Sequence, residues 1–164
     1  MRRRSRGSQS GFSLIELTIA AAIFSTGLGA FSLLLLLSIQ GTVESGQQTV
    51  AVQHARYLAE SVRLIPGAVP AFENPTPQSD CPVGSSCTPG QMASSSFLRW
   101  QRRLARELPG GTGLICRDGT PEDGTASSPA CDGSGQLVVK VFWTEPGQDG
   151  HSLERRTVSR LPLL

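Results

Sequence analysis

The sequence predicts an α+β protein: a long N-terminal α-helix, transmembrane and then amphipathic, packed on a small antiparallel β-sheet headpiece with a second helix. Three observations predict it. No charged residue occurs from Leu17 to Val43, a run of 27 positions. Beyond that run Ala51, Ala55, Leu58, Val62 and Ile65 recur at 4-3-4-3 spacing, which marks one face of a helix. Near the far end, Gln136-Leu-Val-Val-Lys-Val-Phe-Trp143 is rich in branched and aromatic residues and reads as a strand.

The apolar run is long enough to cross a bilayer, since about 20 apolar residues at 1.5 Å each span a hydrocarbon layer of roughly 30 Å. Arg2, Arg3, Arg4 and Arg6 precede it and no comparable basic cluster follows, which places the N-terminus in the cytoplasm and the rest outside it. The formal net charge of +2 belongs to this front end: without its four arginines, 11 basic residues face 13 acidic ones. A general nucleic-acid binder is therefore not expected. A secretory signal would have a shorter apolar core with a small-residue cut site after it, whereas Ala20-Ala21-Ala22 lies in the middle of this one.

One acidic residue, Glu16, stands at the edge of the apolar run. A carboxylate in an apolar helix costs about 2.5–3.5 kcal/mol at the helix centre on insertion scales, so it is normally paired. The segment Gly11-Phe12-Ser13-Leu14-Ile15-Glu16 resembles the class III leader junction of type IV pilins and type II secretion pseudopilins. The resemblance implies that a prepilin peptidase cuts between Gly11 and Phe12, removing the leader 1–11, and that the new N-terminal Phe12 is N-methylated. It also implies that Glu16, at the fifth position of the mature chain, pairs with the amine that cleavage creates, on a neighbouring subunit in a packed bundle.

The resulting division is a leader over 1–11, a transmembrane or filament-core half-helix over 12–39, an amphipathic half over 40–65 and an extracytoplasmic headpiece over 66–164. Pro66-Gly67 stops the long helix, which from Phe12 to Ile65 would extend about 80 Å. Gly27 and Gly29 read as close packing of small residues, while the resemblance to pilins implies a stretch that loosens there during assembly. Residues 66–90 hold six prolines and three glycines and read as a loop. A second helix is expected at about Ser95–Leu108, capped by the serines at 94–96, lined by Phe97, Trp100, Leu104 and Leu108, and ended by Pro109-Gly110. Its other side carries Arg99, Arg102, Arg103 and Arg106, a face partly balanced by Glu107. Leu114–Cys116 reads as a short strand, and Pro146-Gly147 with Asp149-Gly150 as a turn into a last strand, Ser152–Leu161.

Cys81, Cys87, Cys116 and Cys131 all fall on the extracytoplasmic side, where an even number reads as two disulfides with three possible connectivities. Local pairing, Cys81–Cys87 and Cys116–Cys131, closes two loops rich in Pro, Gly and Ser; the longer closure is worth about 3 kcal/mol on the chain-entropy model. The cysteine spacing fits a zinc finger poorly and no histidine adjoins it. Asp118, Glu122, Asp123 and Asp132 lack calcium-loop spacing and read as an acidic loop between cysteines. No metal and no cofactor is expected.

The headpiece pattern of Cys87, Trp100, Leu104, Leu108-Pro109-Gly110-Gly111, Cys116 and the strand ending at Trp143 resembles PilV-type minor pilins. That resemblance implies a non-enzymatic subunit that assists initiation and assembly of type IV pili. Its partners would be the prepilin peptidase, other minor pilins and the major pilin, the inner-membrane assembly platform and membrane lipid. It would be a single-pass inner-membrane protein with a periplasmic headpiece, then part of a pilus at the cell surface. A minor pseudopilin of the GspI kind shares the same front end. A third reading is a pilus-tip adhesin or DNA-uptake receptor using the four arginines, since such clusters neutralise phosphates. An exported enzyme is not expected: no nucleophile-elbow motif appears, and His54 and His151 stand in no catalytic context.

Overall fold

The computed structural model describes residues 11, 13–76, 81, 86–147 and 151–161. Its elements are α1 (Leu14–Leu64), a 3-10 turn (Pro66–Ala68), α2 (Val69–Glu73), α3 (Pro89–Glu107), β1 (Thr112–Asp118), β2 (Gln136–Pro146) and β3 (Ser152–Arg160). The chain divides into two compact units, Met1–Val43 and Glu44–Leu164, with α1 running through the division.

In the first unit every described residue is exposed, including Ile15, Ile23, Phe24 and Phe31. Five hydroxyl side chains there bond back to the helix, Thr26 among them. Thr18 donates to Ile15 O at 2.9 Å, Ser25 to Ala22 O at 3.0 Å, Ser32 to Leu28 O at 2.9 Å and Thr42 to Ser38 O at 2.9 Å. Such back-bonding satisfies hydroxyl donors where no water is at hand, which makes the segment suited to a hydrocarbon surrounding. The helix is continuous through Gly27 and Gly29, so the loosening expected there is no feature of this conformation.

In the second unit α1 buries Ala51, Ala55, Leu58, Ala59 and Val62. These side chains join one core with Phe72 of α2, Phe97, Trp100 and Leu104 of α3, Ile115 of β1 and Leu137, Val139, Val141 and Trp143 of β2. The sheet is antiparallel in the order β1-β2-β3, with Leu114 opposite Lys140 and Lys140 opposite Val158. Alternation along β2 sends its odd-numbered residues to this helical core and Val138, Lys140 and Phe142 to the other face. Those three are also fully buried, and Lys140 reaches carbonyls of the segment between β1 and β2. A Cβ on Gly113 would collide with the Trp100 ring and with the carbonyl of Lys140, so only glycine lets β1 lie against α3 here.

Several boundaries differ from the sequence expectation. The first residues of the expected 66–90 loop are helical, because Pro66 and Pro70 both occupy opening turns, where a missing N–H costs nothing, and Phe72 anchors the piece in the core. The second helix starts at Pro89 and not near Ser95. Thr88 caps it: its hydroxyl accepts the Gln91 N–H at 3.3 Å, and its own N–H donates to Gln91 Oε1 at 2.9 Å. Ser94 and Ser95 are therefore buried helix residues, Ser94 donating to Ala71 O at 3.2 Å and Ser95 accepting from Arg99 at 2.8 Å. The helix closes at Leu108, and Gly110 takes φ +61° as the chain turns into β1. β1 has seven residues, longer than Leu114–Cys116, since β2 offers a partner at each position from Gln136 to Phe142. β2 likewise runs on past Trp143 to Pro146. β3 stops at Arg160, and Leu161 turns into the core while its N–H donates to Leu137 O at 2.9 Å.

Candidate functional site: the leader junction and the headpiece clusters

At the front of the chain Gly11 is exposed outside the helix and Glu16 is exposed in the first turn of α1. Phe12, on which the expected cleavage, methylation and charge pairing converge, lies outside the described residues. Among the described residues no cation pairs with Glu16.

In the headpiece, Cys81 is bonded to Cys87 and Cys116 to Cys131, with Cα separations of 6.0 and 6.1 Å. The second bridge stands beside a cluster that sequence reasoning missed. Lys140 and Asp118, both with no side-chain exposure, form an ion pair on the sheet face opposite the helices. The Lys140 ammonium also donates to Pro129 O at 2.7 Å, to Asp123 O at 3.2 Å and to Asp123 Oδ1 at 3.3 Å. Asp118 in turn accepts the Thr120 N–H through Oδ1 at 2.9 Å. A buried ammonium is tolerable only when oxygen surrounds it, and the acidic loop supplies that oxygen. The loop is further tied to β3: Arg160 meets Glu122 at 2.8 Å and Arg156 donates to Gly124 O at 2.9 Å.

Two carboxyls of this loop are held below the ordinary carboxylate range. For Asp123 the Thr120 hydroxyl at 2.9 Å is the main cause; burial opposes it and Lys140 reinforces it. For Asp132 the Ser134 N–H at 2.7 Å leads, with Gly119 N–H adding to it. Asp118 lies near Cys116 and Cys131, but both sulfurs are spent in their disulfide and leave no thiolate to bind a metal.

Arg99, Arg102, Arg103 and Arg106 are all exposed on α3. Arg99 bonds to Ser95, and Arg102 and Arg106 turn their Nε donors to the carbonyls of Leu98 and Arg102 at 3.3 and 3.1 Å. None of the four meets a carboxylate among the described residues. Glu107, expected to offset them, pairs instead with His54 at 2.8 Å. That pair lines an open cleft of about 210 Å³ with Tyr57, Trp100 and Arg103. His54 is thus nine-tenths covered and engaged, while His151 is exposed at the start of β3.

The architecture is pilin-like: a long N-terminal helix, apolar enough over its first part to cross a membrane, followed by a small three-stranded antiparallel sheet with extra helices. Residues 6–32 match the family described as the prokaryotic N-terminal methylation motif. The motif is that of prepilin leaders and points to a structural subunit of the pilin or pseudopilin type, processed by prepilin peptidase and assembled with other pilins. No curated protein and no solved structure matches the chain.

Proposed function

We propose that the chain is a minor pilin of the PilV type, a non-enzymatic subunit that assists initiation and assembly of type IV pili. The observation that carries the reading is the methylation motif over residues 6–32, at the front of a helix whose described residues up to Val43 are all exposed. An apolar helix exposed all round needs lipid or other such helices to cover it, and a subunit passing from membrane to filament core has both in turn.

In this scheme the chain inserts in the inner membrane with its N-terminus cytoplasmic and its headpiece periplasmic. Prepilin peptidase cuts between Gly11 and Phe12, Phe12 is N-methylated, and residues 12–39 dock beside the spikes of other minor pilins and the major pilin on the assembly platform. Glu16 then receives the neighbouring N-terminal charge. A minor pseudopilin of the GspI kind would use the same steps in a periplasmic pseudopilus. Mass spectrometry of the N-terminus from cells with and without prepilin peptidase tests the route. N-methyl-Phe12 is expected in the first and residues 1–11 still attached in the second; an intact leader in both would sink it. Recovery of the chain from sheared pili separates the pilus from the secretion reading.

A second reading draws support from the arginine face. Four exposed guanidiniums with no carboxylate among the described residues are suited to an anionic ligand, as in an adhesin or DNA-uptake receptor. A salt-dependent gel shift with duplex DNA, lost in a variant with all four changed to Gln, is its expected signature.

A further inference from the structure

Fourteen of the fifteen basic residues of this chain are arginine, and the single lysine, Lys140, is the one with no exposure among those the structure describes. Charge alone does not select lysine at a buried ion pair, where the forked, weakly hydrated guanidinium is the common choice. An amine differs from a guanidinium in that it can give up its proton and act as a nucleophile. The surroundings of Lys140 Nζ contain what such a nucleophile needs. Asp118 Oδ2 lies against Nζ and takes part in no aligned hydrogen bond, while Oδ1 accepts the Thr120 N–H at 2.9 Å. A second carboxylate, Asp123, stands with Oδ1 3.3 Å from Nζ and with Oδ2 fixed by the Thr120 hydroxyl at 2.9 Å. Val138 and Phe142, both fully buried, flank the pair on the same face of β2.

We propose that Lys140 and Asp118 are joined by an amide bond that forms within the folded chain. Transfer of a proton from Nζ to Asp118 Oδ2 turns the ion pair into a neutral amine and acid, a form that burial penalises less than two charges. The amine lone pair adds to Asp118 Cγ, making the N–C bond, and the charge that gathers on Oδ1 faces the Thr120 N–H. Asp123 takes a proton from the attacking nitrogen and passes it to the Oδ2 hydroxyl. The Cγ–Oδ2 bond breaks, one water leaves, and Asp123 ends as the carboxylate it began as. No oxidant or reductant enters. One hydrogen remains on the nitrogen, and Pro129 O, at 2.7 Å, is the acceptor in place for it.

The bond ties the end of β1 to the middle of β2, two positions that the strand register does not make partners. The loop it closes overlaps the one that Cys116–Cys131 closes, so one tie is reducible and the other is not.

Tryptic mapping of the reduced, denatured full chain tests the bond. Trypsin cuts after Arg117 and after a free Lys140, and the next site is Arg155. The linked chain is expected to yield a peptide from Asp118 to Arg155, short of one water and uncut at Lys140, with fragment ions that hold Asp118 and Lys140 together. A peptide ending at Lys140 with its full mass overturns the proposal. So does a water-short peptide ending at Lys140, because a succinimide at Asp118-Gly119 loses the same water but leaves the lysine free. Asp118→Asn is expected to give a linked peptide identical in mass to the wild-type product, through loss of ammonia. Asp123→Asn, half-exposed in the native chain, is expected to keep the near-ultraviolet circular dichroism of the fold while Lys140 becomes cleavable; linking to the wild-type extent would remove Asp123 from the mechanism.

Discussion

Trp100 donates its indole N–H to the main-chain carbonyl of His54 at 3.0 Å, and the His54 ring meets Glu107 at 2.8 Å. One aromatic residue and one side-chain hydrogen bond thus hold α3 along the second part of α1, with the Trp100 ring buried and packed on Phe97 at a centroid distance of 5.4 Å. Trp100→Phe removes the hydrogen bond and keeps most of the volume, so it should cost about 1 kcal/mol. Trp100→Ala opens a cavity as well and should cost about 3–5 kcal/mol. Urea unfolding of the full chain in detergent, followed by circular dichroism, measures both; equal losses would mean that packing is not what the ring contributes.

The start of α3 rests on Thr88 and Gln91, each accepting the other's main-chain N–H. Thr88→Ala should destabilise the chain by about 1 kcal/mol, and Thr88→Ser by little, since the capping oxygen survives. Had the helix begun near Ser95, the same substitution would be silent, so the urea midpoint discriminates between the two starts.

Acid should loosen the loop between β1 and β2 before the rest of the headpiece. Asp123 and Asp132 both have folded-state pKa values lowered from 3.8. A lowered carboxyl stabilises the fold fully above its unfolded value, and that contribution is lost as pH falls below it through the lowered folded value. Stability should therefore be flat above the ordinary carboxylate range and decline below it. Asp132→Asn should shallow that decline, because the amide oxygen still accepts the Ser134 N–H but no longer titrates; thermal melts across an acid pH series read it.

The two disulfides should contribute unequally. Cys116–Cys131 spans 15 positions and Cys81–Cys87 spans 6, so opening them should cost about 3 and about 2 kcal/mol on the chain-entropy model. Serine pairs at each bridge, compared by urea unfolding, test the order. If Lys140 and Asp118 are covalently tied, the loss at Cys116–Cys131 should fall well below that figure, since the unfolded chain is already closed there.

Much of this fold was legible because it rests on local signals. The 27-position uncharged run and the 4-3-4-3 spacing from Ala51 to Ile65 read directly as α1, and the branched residues of Gln136–Trp143 as β2. Punctuation is the weaker signal. Prolines 66 and 70 have loop-forming composition around them yet both open short helices, and the serines at 94–96 are cap formers by type while Thr88, with Gln91 as its partner, makes the capping box. The Lys140 cluster was beyond reach for a different reason. Its members come from β1, β2 and the intervening loop, and only the register that brings Asp118 to the Lys140 face makes them neighbours. A signal existed nonetheless: one lysine in the chain, placed inside its most apolar strand.

Glu16 gives the sharpest test of the proposed assembly route, because its removal should help one step and harm another. A carboxylate among apolar residues opposes membrane insertion by up to about 2.5–3.5 kcal/mol at the span centre, and less near the end where Glu16 lies, so Glu16→Ala should insert at least as well as the native chain. The junction at Gly11-Phe12 is untouched, and leader removal should proceed. Docking beside a neighbouring spike is different: an N-terminal amine entering an apolar bundle without its carboxylate stays an unpaired charge. Glu16→Ala and Glu16→Gln should therefore accumulate as processed, membrane-held subunits absent from sheared filaments. Glu16→Asp, which keeps the charge on a shorter arm, should recover part of the incorporation. Uncleaved precursor in the Ala variant would point to faulty insertion, and normal filament content in the Gln variant would end the charge-pairing role.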